Sequence, residues 1–320
     1  MKKVLLIAAA AMLLLSMTSC NKHKDGVFNP KQKISAIYYS YRSQSSWYNS
    51  DNYTWEDYDP YITPLYKQQE WIWDGKQLQQ IKHFSSDGTL NYIETFTYGK
   101  KKLSRIDCKY TDGDTYYSTF EYDGKGKELL RANCHESSGA IYCKVEYTHT
   151  DKKISDVEIT YYDYDKKSMS SNKGRHIATM RMVMPMGQIP NRLIEIQENK
   201  INAKDAYAEK TKYSFTWTDN NITRIIVTEI EDGGNDTDIY NLTYDNKKNP
   251  FYGFLDGEDA LLLEGGNFCE NNILGWDNDA PYVYEYDQND YPTSCVYTYT
   301  YNSDTYRDRS TTTHNYEYLK

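Results

Sequence analysis

The amino-acid sequence predicts an all-β protein: an antiparallel β-meander of repeated hairpins, forming a curved sheet or open barrel. Three observations predict it. Aromatic residues are abundant, with 34 Tyr, 8 Phe and 6 Trp in 320 residues. Such side chains favour half-buried strands, where the ring packs and the polar tip reaches water. Aromatic groups that end in turns recur at nearly constant spacing. Helical periodicity is essentially absent beyond the first twenty residues, apart from a short turn expected within 257–264. The repeat implies roughly 16 or more strands, and a flat sheet of that size would be unusual, so curvature is expected.

The chain opens with Lys2 and Lys3, an apolar run from Val4 to Leu15, and small or polar residues leading to Cys20. A charged head, an apolar middle and a small-residue cleavage region make a secretory signal peptide. The apolar run is too short to span a bilayer. Because it ends on a cysteine, the segment resembles a bacterial lipoprotein signal. That resemblance implies residues 1–19 are removed and Cys20 is acylated (palmitate) as the mature N-terminus. Residues 20–32 then read as the lipidated cysteine and a flexible tether, and 33–320 as the folded β domain.

The first strand is expected at Ile34–Tyr41. The stretch from Ser45 to Pro64, rich in Ser, Asn, Asp, Tyr and Trp, reads as a long excursion. From Tyr66 the chain repeats: Trp71-Ile-Trp73, Phe96-Thr-Tyr98, Phe120-Glu-Tyr122 and Val145-Glu-Tyr147, the second aromatics lying 25, 24 and 25 residues apart. A turn and an apolar pair follow each group: Leu78 and Ile81, Leu103 and Ile106, Leu129 and Ala132, Ile154 and Val157. Second turns follow at Asp87-Gly88, Asp112-Gly113 and Ser138-Gly139, which are hairpin signals. Each unit is therefore two antiparallel strands and two tight turns. The pattern blurs over 166–210 and returns at Phe215-Thr-Trp217, Leu242-Thr-Tyr244 and Tyr284-Glu-Tyr286, closing on Tyr316-Glu-Tyr318.

The aromatic-x-Tyr-Asp turns resemble the Tyr-Asp repeats of the RHS/YD class. Tyr244-Asp-Asn-Lys-Lys-Asn-Pro-Phe251 and Tyr284-Glu-Tyr-Asp-Gln-Asn-Asp-Tyr-Pro292 sharpen the likeness. They resemble an outer-membrane lipoprotein family of Bacteroidota type whose function is unknown. The resemblance covers about Lys33 to the C-terminus and implies architecture only. Gly99, Thr148 and Thr218 stand where the pattern has Asp. The aspartates are thus expected to cap their own turns, accepting a bond from the backbone two residues on.

The motifs for chemistry are few. Cys134 and Cys143 are expected to face each other across the Ser138-Gly139 turn and to form a disulfide, the alternative being two thiols in a core column. The pairing of Cys108, Cys269 and Cys295 stays open. His135-Glu136-Ser137 beside Cys134 invites a nucleophile reading, but neighbours on a strand point to opposite faces. Met180, Met182, Met184 and Met186 alternate, with His176 in register. They read as a packing strip, as a partner contact or, since thioethers are soft ligands, as a Cu(I) site. The acidic stretches Glu231–Asp238 and Asp277–Asp279 read as turns; neither fits a twelve-residue calcium loop. Trp47, Tyr48, Tyr53, Trp55 and Tyr58 are the candidate ligand-binding residues. They would stack on a sugar or fill a partner's pocket, or else fold back over a sheet edge.

Removal of the signal leaves 35 basic and 46 acidic side chains, a net charge of −11. Such a chain repels nucleic-acid phosphates and anionic lipid, so any membrane attachment comes from the acyl chain. The sequence therefore points to a lipid-anchored binding or scaffold protein of the cell envelope. It is expected to be non-catalytic and cofactor-free, with a glycan or envelope protein as partner. Copper handling through the Met strip is the alternative. No acidic cluster follows Cys20, which points to the periplasmic face of the outer membrane.

Overall fold

In the computed structural model the described residues are 27–50, 53–162, 209–231, 234–255, 268–277 and 282–320. The Met180–Met186 strip, His176, Cys20 and the 257–264 turn lie outside them. Seventeen antiparallel strands are formed: β1 (Ile34–Asn49), β2 (Thr54–Asp57), β3 (Tyr61–Asp74), β4 (Gln77–Phe84), β5 (Leu90–Gly99), β6 (Lys102–Tyr110), β7 (Thr115–Tyr122), β8 (Leu129–Glu136), β9 (Ile141–Thr150), β10 (Lys153–Tyr161), β11 (Glu209–Thr218), β12 (Asn221–Glu231), β13 (Gly234–Tyr244), β14 (Ile273–Trp276), β15 (Tyr282–Tyr286), β16 (Pro292–Asn302) and β17 (Tyr306–Tyr318).

From β3 to β14 each strand pairs with the next, as do β15 to β17. β1 pairs with β3 on one flank and β17 on the other, so the two ends of the meander meet. Between β14 and β15 the described residues carry no backbone ladder. Side chains join them instead: the Tyr284 hydroxyl donates to the Ile273 carbonyl at 2.9 Å, and Trp276 meets Tyr282 edge-on at 6.0 Å. The result is a nearly closed barrel-like sheet.

The spacing of the apolar pairs has a specific cause. Side chains at i and i+3 on a regular strand face opposite sides. Yet Leu78 and Ile81, Leu103 and Ile106, and Ile222 and Ile225 are all buried. One extra residue lies between the members of each pair: Gln79, Ser104 and Thr223, unpaired across from Trp73, Tyr98 and Trp217. The same bulge recurs at Ser35, Leu130, Ser155, Leu274 and Thr293. Each bulge returns the aliphatic to the inner face and adds twist, which helps roll the sheet.

At five of these bulges the aromatic opposite links one hairpin to the preceding one. Tyr98 donates through its hydroxyl to the Leu78 carbonyl at 2.9 Å, Tyr122 to Leu103 at 2.7 Å, and Tyr318 to Pro292 at 2.7 Å. Trp73 and Trp217 donate through their indole N–H to Ile34 at 2.8 Å and Ile154 at 2.7 Å. Lysine ammonium groups cover several of these rings, as Lys102 covers Tyr122 at 4.2 Å. Tyr147 is fully packed, while Tyr98 and Tyr122 are half-buried because their tips reach these carbonyls at the barrel end. Two turn aspartates cap as expected, Asp245 accepting from Lys247 N at 2.9 Å and Asp287 from Asn289 N at 2.8 Å, whereas Asp123 reaches farther, to the backbone N–H groups of Lys127 and Glu128.

Inner residues of every strand but β2 join one apolar cluster. Phe251, Phe254 and Leu255, from the segment between β13 and β14, are buried in it. Phe254 meets Phe28 and Trp71, each at 5.1 Å between ring centroids. Phe28 was expected within a flexible tether; its burial fixes the chain at that point, because the ring is worth more packed than hydrated. The outer face carries charged cross-strand pairs such as Lys210–Glu158 at 2.9 Å and Lys212–Asp156 at 3.0 Å, among scattered exposed aliphatics such as Ile239 and Val283. Transmembrane barrels have the opposite polarity, since each charge facing lipid at mid-bilayer costs roughly 2–4 kcal/mol for Lys or Arg.

Candidate functional site

β1, β3 and β17 run 16, 14 and 13 residues, whereas β4 and β15 run 8 and 5. With β16 they rise past their neighbours as a rim, at the end of the barrel opposite the Tyr-Asp turns. The expected excursion over Ser45–Pro64 is therefore mostly strand. β1 continues to Asn49, β2 pairs back onto it, and β3 begins at Tyr61. Continued backbone pairing with β17, out to Trp47 opposite Tyr306, is what orders this polar stretch.

The five candidate aromatics do not form one cluster. Trp47, 36% exposed, lies on the inner-facing side of β1. Tyr48 and Trp55 are cross-strand partners on the other side, 5.6 Å apart, with the Arg307 guanidinium 3.8 Å above Trp55. Tyr53, with a left-handed φ of 60°, and Tyr58 are 79% and 52% exposed at the tip.

The inner face of the rim is more coherent. Pairing sets Ser45 opposite Asp308, Ser43 between Ser310 and Tyr61, and Tyr41 between Thr312 and Thr63. On β16, Tyr299 faces Ser310 and Tyr301 faces Asp308. The Asp308 carboxylate accepts from the Ser45 and Ser43 hydroxyls at 2.7 and 3.1 Å. Tyr41 and Tyr61 are 6.0 Å apart, and Tyr301 and Tyr306 are 6.3 Å apart. A hydroxyl-and-carboxylate centre is thus bordered by aromatic rings. Local sequence patterns miss it because Ser43 and Asp308 are 265 residues apart; the detectable signal is the alternation of Tyr297, Tyr299 and Tyr301 and of Tyr41, Ser43, Ser45 and Trp47.

Below the rim the interior turns from hydroxylic to sealed. His314 sits edge-on to Tyr39 at 5.3 Å, buried, with Nε2 unbonded. Burial pulls its pKa down to about 3 and pushes Tyr39 up to about 12. Farther round the wall, His83 Nε2 and Glu94 Oε2 lie 3.0 Å apart, both buried, and His83 stacks on Tyr92 at 4.0 Å.

Cys134 and Cys143 are cross-strand partners, as expected, but through a different register. Glu136 bonds Ala140 across a wider turn, His135 faces Ile141, and Tyr142 bulges out to restore the pairing. Both are buried thiols in the structure, unbridged, and burial among apolar neighbours drives the Cys143 pKa up. His135 lies on the outer face, stacked on Tyr117 at 4.4 Å, so strand alternation separates it from Cys134. Asp236 and Asp238, expected in a turn, lie on β13. Asp277 accepts from the Asn241 backbone at 3.1 Å. Among the described residues no set of three His, Cys, Asp or Glu side chains is grouped to hold a metal.

No known protein-family model matches the sequence, and no curated protein matches it. Among solved structures, a porin-like protein from Bacteroides uniformis aligns over 87% of this chain and 97% of its own, at 11% identity and a TM-score of 0.44. Likeness at that level says nothing of activity.

Proposed function

We propose that this chain is a non-catalytic, lipid-anchored binding protein of the outer membrane, presenting its aromatic rim to a glycan or protein partner. One observation carries the reading: exposed aromatics gather at one end of a barrel whose outer wall is charged. Of the large apolar side chains left exposed, Trp47, Tyr53, Tyr58, Tyr61, Tyr301 and Tyr306 belong to the rim. Clustered exposed aromatics mark interaction surfaces.

The placement of the N-terminus supports an anchor. β1 starts at the end opposite the rim, where Phe28 is packed. Cys20 precedes Val27 by seven residues, a reach of at most roughly 24 Å. A lipid on Cys20 would hold that end near the bilayer and the rim away from it, by the length of β1, about 50 Å. The charged wall stays in water, on the periplasmic side of the membrane.

The test is membrane association after a carbonate wash. Wild-type protein is expected in the membrane pellet and the detergent phase, and Cys20→Ala protein in the soluble fraction with its β spectrum intact. A Cys20→Ala protein that stays in the washed membrane would show the barrel itself inserted and refute the reading.

A further inference from the structure

We propose that the inner face of the rim binds a neutral glycan chain; this rests on reading the rim as a binding surface and names the ligand class. The face is about three inter-strand spacings wide, roughly 14 Å, and its chemistry is distinctive. On β1 and β17, between the Tyr41–Thr312 and Ser45–Asp308 pairs, every inward residue is Tyr, Ser, Thr or Asp. Their inward neighbours on β3 and β16 are Tyr61, Thr63, Tyr297, Tyr299 and Tyr301. Among the described residues no aliphatic side chain enters this grid. The core of a protein–protein contact is depleted of charge and rich in apolar area, which this face does not offer.

Sugars need what it does offer. Their apolar ring faces stack on aromatic side chains, and their hydroxyls both donate and accept. Tyr61 on one border and Tyr299 and Tyr301 on the other supply platforms; Tyr61 is 66% exposed and tilted 56° to Tyr41, so two faces converge. Asp308 supplies the acceptor. A carboxylate has about four lone-pair sites, and the Ser43 and Ser45 hydroxyls take one each. No cation pairs with Asp308 among the described residues. Its neighbours Arg307 and Arg309 point to the opposite face, where Arg307 covers Trp55.

The same uncompensated carboxylate sets the charge preference. An anionic sugar brought against Asp308 meets a like charge in a half-buried setting, where repulsion is stronger than in bulk water. Neutral chains therefore fit, and uronate, sulfated or phosphorylated chains do not.

The experiment uses full-length protein in mild detergent, with affinity electrophoresis and calorimetry against neutral polymers (starch, mannan, xylan, laminarin) and acidic ones (polygalacturonate, hyaluronate). At least one neutral polymer should bind. Tyr61→Ala, an exposed substitution that spares the fold, and Asp308→Ala should each weaken binding tenfold or more. Asp308→Asn should relax the exclusion of acidic polymers, and Trp55→Ala on the outer face should change nothing. Binding of no neutral polymer, tighter binding of an acidic one, or neutral binding unmoved by Tyr61→Ala and Asp308→Ala would each overturn the proposal. If those variants instead abolish capture of an envelope protein, the glycan class fails and the rim remains a binding surface. If they alter no interaction, both readings fail.

Discussion

Deleting Ser104 is the sharpest test of how this sheet is built. Ser104 is the extra residue that lets Leu103 and Ile106 both face inward across from Tyr98 and Phe96. Without it, Leu103 stands two residues from Ile106 and still faces inward by plain alternation, opposite Tyr98. Leu103, 4% exposed, therefore stays buried, and what the deletion removes is the added length and twist of the bulge. The Leu103 carbonyl accepts the Tyr122 hydroxyl at 2.7 Å; shortening the strand draws it away, which costs about 0.5–1.5 kcal/mol. The deletion should therefore lower stability by roughly 0.5–1.5 kcal/mol while the core stays intact. Ser104→Ala removes only an exposed hydroxyl bonded to the Thr97 carbonyl at 3.0 Å and should cost under about 0.5 kcal/mol. Urea unfolding followed by tryptophan fluorescence compares the two. Equal losses for deletion and substitution would refute the argument that the bulge aims the Leu103 carbonyl at Tyr122.

Further outcomes are expected. Tyr122→Phe keeps the ring under Lys102 but removes the donor to Leu103, and should cost about 1 kcal/mol; no shift of the urea midpoint would show that water replaces the bond freely. His314 has its pKa lowered by burial to about 3, below the unfolded value of about 6.5. The unfolded chain thus binds more protons, and stability present above about pH 6.5 is lost as pH falls toward 3. A His314→Gln variant should show a shallower decline over that window by thermal melting, and an identical slope would reject the assignment. Cys134 and Cys143, paired across β8 and β9, should join when treated with oxidised glutathione: each thiol loses a proton and an electron to the disulfide, which is reduced to thiols. The bridge should stabilise by ~2–3 kcal/mol, and thiols that stay fully labelled after treatment would count against it.

Much of the architecture was legible along the chain. Alternation of aromatics before Asp-Gly and Ser-Gly turns specified antiparallel hairpins, and the turn aspartates bond the backbone as their side-chain length dictates. The three-residue spacing of Leu78 and Ile81 was visible too, but its meaning depends on pairing with β3, which a single strand does not declare. Ser45–Pro64 misled for the opposite reason. Ser, Asn and Asp have poor strand propensity, and only β17, some 260 residues away, makes extended structure worthwhile there. The rim site was illegible on the same ground: Asp308 and its serines come from opposite ends of the chain, whereas Trp47 and Tyr48, neighbours in sequence, point to opposite faces.

The pairing of β1 with β17 has a consequence for biogenesis. Until the thirteen residues of β17 are available, the chain has an unsatisfied edge along β1 from Ile34 to Trp47. Loop closure across nearly the full length is entropically slow, so this step comes late in folding. A chain truncated before Tyr306 would expose a long aromatic strand edge, a template for aggregation. It would also lack Asp308 and Ser310. Ligand recognition and completion of the fold would then be one event: a molecule able to bind has, by construction, been synthesised through β17 and sealed.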